Sequence, residues 1–213
     1  MMHTDQLIST LVADRNQRAK PVWLMLTLAL LATAPITMAI FFWKLGVRPD
    51  VMTAMHNPFF DLKFFVTLSL AIPAISVGLH LSRPEASLGG RAWLLSIPVG
   101  LLIAGMVYEL TTAQPLPMMA RLIGSNSRVC LTAIPLLSAP LLAAALIGLR
   151  HGASSRPALT GAVAGLLSSG LAATLYASNC TDDSPLFVMT WYSVAITVVA
   201  SIGALAGSKL LRF

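Results

Sequence analysis

Six apolar stretches of about twenty residues, separated by short polar segments, fill almost the whole 213-residue chain. The hydrocarbon core of a bilayer is about 30 Å thick, and about 20 helical residues cross it. Backbone polar groups inside a bilayer must be bonded internally, so each stretch predicts a transmembrane helix. We therefore expect an all-α polytopic membrane protein, with a six-helix transmembrane bundle over residues 22–213. The predicted spans are 22–43, 64–82, 92–112, 129–149, 158–178 and 186–208.

The Lys and Arg residues predict the orientation of these spans. An even number of spans places both termini on one side, and a cytoplasmic placement puts nine basic residues inside and five outside. Because Lys and Arg favour cytoplasmic loops, we expect both the N and the C terminus in the cytoplasm. The net charge of +6 then lies mainly on the cytoplasmic face, where it favours contact with anionic membrane lipid. No basic cluster is dense enough to predict direct nucleic-acid binding.

The predicted spans carry little chemistry that an enzyme or an ion-driven pump would need. No predicted span has an Asp, Glu, Lys or Arg at its middle, where proton and ion paths are usually marked by such residues. The chain has no H-E-x-x-H motif and no phosphate-binding glycine loop. We therefore expect a protein that is not an enzyme and that needs no cofactor, although passage of a neutral solute stays open.

Cys130 and Cys180 are the only cysteines, and the predicted topology places both near the outer face. Two thiols there can be apolar packing groups, a disulfide in an oxidising compartment, or ligands for a thiophilic metal. Asp182 and Asp183 directly follow Cys180 and are candidate additional metal ligands. The competing interpretation makes them a solvated turn before a helix that Ser184 caps. Four more candidate donors lie on or near the same face: His56, Glu109, Met118 and Met119.

Residues 1–21 form a short N-terminal arm with one apolar stripe. The stripe consists of Leu7, Ile8, Leu11 and Val12, with polar residues around it. An amphipathic helix of this kind can lie on the membrane surface or place its stripe in a groove on a soluble partner. We therefore predict an amphipathic cytoplasmic arm, and we treat the four stripe residues as the candidate partner-binding set.

Two features predict how the spans pack. The fifth and sixth spans carry small-xxx-small motifs at 161–165 and 203–207, which let helices approach closely within the chain or across a homodimer seam. Aromatic residues near predicted span ends are candidate interfacial anchors. They are Trp23, Trp43, Trp93, Trp191 and Tyr192.

Short motifs along the whole chain resemble the NrsF family of six-span bacterial membrane proteins. The first is Asp5-Gln6-Leu7-Ile8 with Leu11-Val12-Ala13-Asp14, and the second is Gly46-Val47-Arg48-Pro49-Asp50. Ser127-Arg128-Val129-Cys130-Leu131 and Arg156-Pro157-Ala158-Leu159-Thr160-Gly161-Ala162 open the fourth and fifth spans. The closing motifs are Cys180-Thr181-Asp182-Asp183-Ser184-Pro185, Trp191-Tyr192 and Leu210-Leu211-Arg212-Phe213.

The resemblance implies a function that composition alone does not indicate. A protein of this family is an anti-sigma factor that holds an extracytoplasmic-function sigma factor at the bacterial inner membrane. It releases that factor under an outside stress such as heavy metal, and the resemblance makes Cys130 and Cys180 the sensing pair. Two alternatives stay open: a small thiol- or metal-handling membrane transport protein, and a purely structural membrane subunit.

Overall fold

The computed structural model describes residues 21–86, 90–112 and 115–211, and all regular structure in these ranges is helical. Six long helices are joined by short segments, two of which contain the short helices Val51–Ala54 and Met118–Ile123. The third long helix opens with a 3-10 turn, and the sixth contains a π turn at Val188–Tyr192. The long helices are α1 Val22–Lys44, α2 Pro58–Leu81, α3 Ala92–Thr111, α4 Ser127–Leu149, α5 Pro157–Ala177 and α6 Pro185–Leu210.

All six helices are long and apolar enough to cross a bilayer, as the sequence predicted. Large apolar side chains cover much of their outward surface, because only one side of most of these helices packs against the others. The predicted arm, with the stripe Leu7, Ile8, Leu11 and Val12, lies outside the described residues. The boundary between the arm and the membrane domain therefore stays a prediction.

Helix α2 begins at Pro58, six residues before the predicted start of the second span. The Asn57 side chain accepts a hydrogen bond from Phe59 N, and Pro58 occupies the first helical turn, where its missing N–H costs nothing. The first helical turns thereby include Asp61 and Lys63, which the prediction left outside because it followed only the apolar run. Lys63 is now a buried cation within a long helix.

Helix α5 lies at the centre of the bundle and packs against α2, α4 and α6, while α1 packs on α4 and α3 on α2. The closest approach joins α5 to α6 through the two predicted glycine motifs. A side chain at Gly161 would overlap the backbone at Gly203 and Gly207, and one at Gly165 would overlap the backbone of Ala200. This confirms packing within the chain, so these motifs are not free to form a homodimer seam.

The aromatic anchors divide into two groups. Trp23, Trp43 and Trp93 are largely exposed near helix ends, as interfacial residues would be. The prediction is wrong for Tyr192, which is buried against Tyr176 with a ring-centroid separation of 5.7 Å. Tyr192 belongs to the π turn, and its ring fills the bundle core.

The two ends of the bundle differ in composition, and we name them by their contents. The cysteine end consists of the described residues of the segments 45–57, 112–126 and 178–184, with the helix ends that they join. The opposite end consists of the described residues of the segments 82–91 and 150–156 and the last turn of α6. Cys130 opens α4 at the cysteine end, and Cys180 lies between α5 and α6 at the same end.

Candidate functional site

The segment 178–184, which connects α5 to α6, is bonded to three other parts of the chain at the cysteine end. It is hydrogen-bonded to the segment that follows α1, because Arg48 N donates to Ser178 O at 3.0 Å. The Asn179 amide donates to Gly46 O at 2.9 Å and to Leu45 O at 3.3 Å. The α5–α6 connection is thus held against the end of α1 by three hydrogen bonds to backbone carbonyls.

Two cations of the cysteine end, Arg48 and Lys63, converge on Asp183 and on the carbonyl of Cys180. Lys63 Nζ lies 2.6 Å from Asp183 Oδ1 and 2.9 Å from Cys180 O. Arg48 Nη1 lies 3.0 Å from Asp183 Oδ1 and 3.3 Å from Cys180 O. Lys63 is 1% exposed and Arg48 is 7% exposed. Burying a cation is unfavourable unless it is paired and hydrogen-bonded, so Asp183 is the carboxylate that makes both positions tolerable.

Asp50 completes the charge balance around Arg48. The guanidinium binds the Asp50 carboxylate through two bonds, Nε to Oδ1 at 2.8 Å and Nη2 to Oδ2 at 2.7 Å. The hydrogen bond to Asp50 raises the pKa of Arg48 against the opposing effect of burial. The same hydrogen bond lowers the pKa of Asp50 to about 2. Two cations and two carboxylates therefore form a neutral cluster around the backbone of Cys180.

Asp182 points in another direction and binds the start of α4. Its carboxylate accepts from Ser125 N at 3.0 Å and from Asn126 N at 2.7 Å. The Asn126 amide also donates to the Thr181 hydroxyl at 2.8 Å. A carboxylate at this position accepts hydrogen bonds from backbone N–H groups just before the helix. Its negative charge also interacts favourably with the positive end of the helix dipole. Because Cys130 lies in the first turn of α4, Asp182 couples the surroundings of the two cysteines.

A second ion pair, with a buried carboxylate, lies beside this cluster. Glu109, near the end of α3, is 1% exposed and accepts from the Ser184 hydroxyl at 2.6 Å. Arg121 Nη1 lies 2.7 Å from Glu109 Oε1, although its N–H does not point at the oxygen. Ser184 also caps the start of α6 by accepting from Leu186 N, with Pro185 in the first turn, which confirms the predicted cap. Glu109 thus attaches α3 to the α5–α6 connection.

Both cysteines are free thiols with no exposed surface, and they belong to one apolar core cluster. Tyr176, Phe187 and Tyr192 pack in the same cluster. The Cys180 thiol lies 3.7 Å from the Asp182 carbonyl. Burial raises the pKa of the Cys180 thiol, and the nearby Lys63 charge opposes that effect. The neutral thiol is therefore the stable form, and a reagent from water reaches it only after local opening.

The structure brings the predicted metal set, Cys130, Cys180, Asp182 and Asp183, to one end of the bundle but gives the carboxylates other partners. Asp183 binds Arg48 and Lys63, and Asp182 binds the start of α4. Within the described ranges, no three His, Cys, Asp or Glu side chains converge as a metal site. Both carboxylates thus serve as structural groups, and metal binding by the predicted set stays a prediction.

In the sequence, Arg48, Lys63 and Arg121 are recognisable only as basic residues of the outer side, and their ion pairs were not predicted. The sequence did contain a signal for ion pairing, because a cation close to an apolar run needs a nearby carboxylate. The chain has few acidic residues that could be that partner. The pairing itself joins positions far apart in sequence, such as Lys63 with Asp183, and no local pattern predicts it.

Comparison with known proteins gives matches along the whole chain. A family model described as "Negative regulator of sigma F" (NrsF) matches residues 11–213. The chain is 33% identical over 216 aligned residues to the anti-sigma-F factor NrsF of Caulobacter vibrioides (strain NA1000 / CB15N), covering 100% of both chains. It is 32% identical over 169 residues to a probable anti-sigma-F factor NrsF of Azospira oryzae, covering 79% of each chain. No solved structure matches the chain.

Proposed function

The chain belongs to the NrsF family of negative regulators of sigma F, and we propose that it sequesters an extracytoplasmic-function sigma factor at the bacterial inner membrane. In this proposal, periplasmic stress such as heavy metal or thiol oxidation acts on Cys130 and Cys180 and releases the sigma factor. Membership of the family makes the protein a negative regulator of a sigma factor, a regulatory and non-enzymatic role. It favours that role over the thiol- or metal-handling transport protein that the sequence left open.

Membrane insertion and orientation are part of the proposal. Six helices long and apolar enough to cross a bilayer support a multi-pass protein. The nine-to-five distribution of basic residues supports cytoplasmic termini, which places the cysteine end in the periplasm. The opposite end then faces the cytoplasm, where a sigma factor is found.

The binding surface for the sigma factor is proposed to include the N-terminal arm. Leu7, Ile8, Leu11 and Val12 give the arm an apolar stripe on an otherwise polar segment. A stripe of this kind suits a groove on a soluble helical partner. The arm precedes α1 in the sequence, and α1 begins at Val22 on the same side as the segment 150–156.

The observation that carries the switch is the attachment of the α5–α6 connection to α2, α3 and α4 at the cysteine end. Lys63 holds the carbonyl of Cys180, Asp182 holds the start of α4, and Ser184 holds Glu109 of α3. A chemical change at Cys180 that moves this connection therefore moves several helix ends together. The helices continue to the opposite end, so the shift reaches the proposed sigma-binding side.

Two chemical events fit a pair of buried thiols. A thiophilic cation can bind both sulfurs as thiolates while two protons leave, or an oxidant can take two electrons and two protons as the sulfurs join. Either event acts against a resting state in which burial stabilises the neutral thiol of Cys180. A ligand shifts such an equilibrium only by its differential affinity, commonly about 1–3 kcal/mol, or about 5–150-fold in the affinity for the partner.

The test is a sigma-factor-dependent reporter in cells that carry Cys130→Ser, Cys180→Ser or both changes. Each single variant should lose the response to cadmium or dichromate, and the double variant should behave like either single variant. Basal repression should persist, because neither cysteine belongs to the proposed sigma-binding side. Asp61→Asn, a change at an exposed carboxylate near the start of α2, is the matched control and should respond like the parent. A normal response in both cysteine variants would show that the thiols only pack the core.

A further inference from the structure

A crevice at the opposite end of the bundle runs along α2 toward the segment 82–91. It has a volume of about 450 Å³. Its apolar part is formed by Ile72, Ile75 and Leu79, and its polar end by His80, Arg83 and Arg91. The apolar and cationic parts are separated along the helix axis, so the crevice changes from hydrocarbon-like to positively charged as α2 reaches its end.

Helical geometry explains why these side chains share one line. Positions 72, 75 and 79 of α2 are spaced by three and four residues, which places neighbouring side chains on one face of an α-helix. At 1.5 Å per residue, Ile72 and Leu79 are about 10 Å apart along the axis, and Arg83 lies just beyond the end of α2 at Leu81. Ile72 therefore lies well inside the proposed membrane, whereas Arg83 lies at its surface.

The cations at this crevice differ from the buried cations of the cysteine end. Arg83 and Arg91 are exposed, and among the residues that the structure describes neither lies within 4.0 Å of a carboxylate oxygen. Arg91 Nη1 instead donates to His80 Nδ1 at 3.2 Å, which draws another basic side chain toward the same end of the crevice. Two guanidinium groups that face no carboxylate of the described residues attract an anion.

We propose that this crevice binds one anionic phospholipid, with its phosphate between Arg83 and Arg91 and an acyl chain along Ile72, Ile75 and Leu79. The proposal rests on the proposed membrane insertion and is independent of the cysteine switch. A membrane lipid fits better than an acidic protein surface, because a soluble protein has no access to Ile72 at the depth of the apolar run. The separation of charge from apolar surface matches the two parts of a phospholipid.

The crevice lies next to a hydrogen bond that joins two segments of this end. Ser82, the residue directly before Arg83, accepts a hydrogen bond at its carbonyl from Ala153 N at 2.9 Å. This bond joins the end of α2 to the segment 150–156 between α4 and α5. A lipid held at Arg83 thus steadies both segments of the proposed sigma-binding side.

The experiment measures lipid retention on the full chain, extracted from membranes in mild detergent, by native mass spectrometry. The probes are phosphatidylglycerol and phosphatidylcholine of equal chain length. The wild-type chain should retain phosphatidylglycerol preferentially. Arg83→Ala with Arg91→Ala should weaken that retention by about 25-fold, at about fivefold for each arginine near a membrane surface. Arg156→Ala, an exposed arginine of the same end outside the crevice, is the matched control and should retain the lipid normally.

A charge-preserving variant separates binding from folding. Arg83→Lys with Arg91→Lys should keep most of the preference, and all variants should show the same helical circular dichroism. Equal retention of the two lipids by the wild-type chain would overturn the proposal. So would an alanine variant that retains phosphatidylglycerol like Arg156→Ala, whether or not it also loses sigma-factor binding. Recovery of the wild-type chain only from the soluble fraction would overturn the membrane premise and the lipid site with it.

Discussion

The two ends of the bundle differ in whether they contain covered cations that are paired with carboxylates. At the cysteine end, Arg48 and Lys63 are buried, Arg121 is largely covered, and each of the three lies against a carboxylate. Lys44 and Arg128 at the same end are exposed. At the opposite end, the described cations are exposed and have no carboxylate oxygen within 4.0 Å. These cations are Arg83, Arg91, Arg150, Arg156 and Lys209.

The difference separates internal structure from contact with partners. Paired buried charges hold the cysteine end in one defined arrangement, because every donor needs its particular acceptor away from water. Solvated unpaired charges contribute little to stability and stay available to lipid headgroups or to a partner protein. One end is therefore suited to a defined resting state around the thiols, and the other to binding.

The largest expected effect comes from Asp183→Asn. The change removes the carboxylate shared by two buried cations, Arg48 and Lys63, and leaves Asp50 as the remaining countercharge of the cluster. Breaking a buried ion pair costs about 3–5 kcal/mol. Denaturant unfolding in detergent micelles should show a loss of that size, or the protein should fail to accumulate. Asp61→Asn, at an exposed carboxylate, serves as the control. Equal stability of the two variants would show that the cluster contributes little to the free energy of unfolding.

Glu109→Gln should have the next largest effect. The amide keeps the shape and can still accept from Ser184, but it removes the negative charge beside Arg121. Hydrogen bonds and pairs with charged groups contribute about 1.5–3 kcal/mol, so we expect a loss of about 2 kcal/mol. The measurement is the same unfolding experiment. Arg121→Met in addition to Glu109→Gln should recover part of the loss, whereas strictly additive losses would show that the two residues do not act as a pair.

Acid should weaken the cysteine end through Asp50. The Arg48 hydrogen bond lowers the pKa of Asp50 from 3.8 to about 2 in the folded protein. A carboxyl with a depressed pKa stabilises the fold above its unfolded pKa, and this contribution is lost as the pH falls from about 4 through about 2. The unfolding midpoint should therefore drop across this range. In Asp50→Asn the drop should be smaller, and a parallel profile in both proteins would assign the acid sensitivity to other carboxyls.

The smallest effect on stability is expected at the opposite end. Arg83→Ala and Arg91→Ala remove exposed cations without a carboxylate partner, so each should change the unfolding free energy by less than about 0.5 kcal/mol. Lys63→Ala at the cysteine end is the contrasting change, because it empties a buried site and leaves Asp183 with one cation fewer. A loss at Arg83 comparable to that at Lys63 would remove the distinction between the two ends.

Much of the helical framework follows from local sequence. The six apolar runs predicted all six long helices, with most boundaries within about two residues. The cap of α6 by Ser184 and the glycine contacts of α5 with α6 also follow from short patterns. Such features depend on neighbouring residues and on the few ways in which a backbone can satisfy its polar groups in an apolar surrounding.

Local patterns failed where a residue depends on a distant partner. The start of α2 was predicted six residues late because Lys63 is unfavourable in an apolar helix unless Asp183 pairs with it. Tyr192 was predicted as an interfacial anchor because its neighbourhood resembles a span end, although its ring packs against Tyr176. In both cases a contact across the bundle overrides the local preference.

The sequence by itself determined the six long helices, the all-α class and, through its ordered motifs, the likeness to the NrsF family. Only the tertiary structure decided which charges neutralise one another and placed Cys130 and Cys180 in one buried cluster. The physical reason is the distance along the sequence over which each interaction acts. Hydrophobicity and helix capping act over a few adjacent residues, whereas the energy of a buried charge depends on whichever residue the fold brings within a few ångströms.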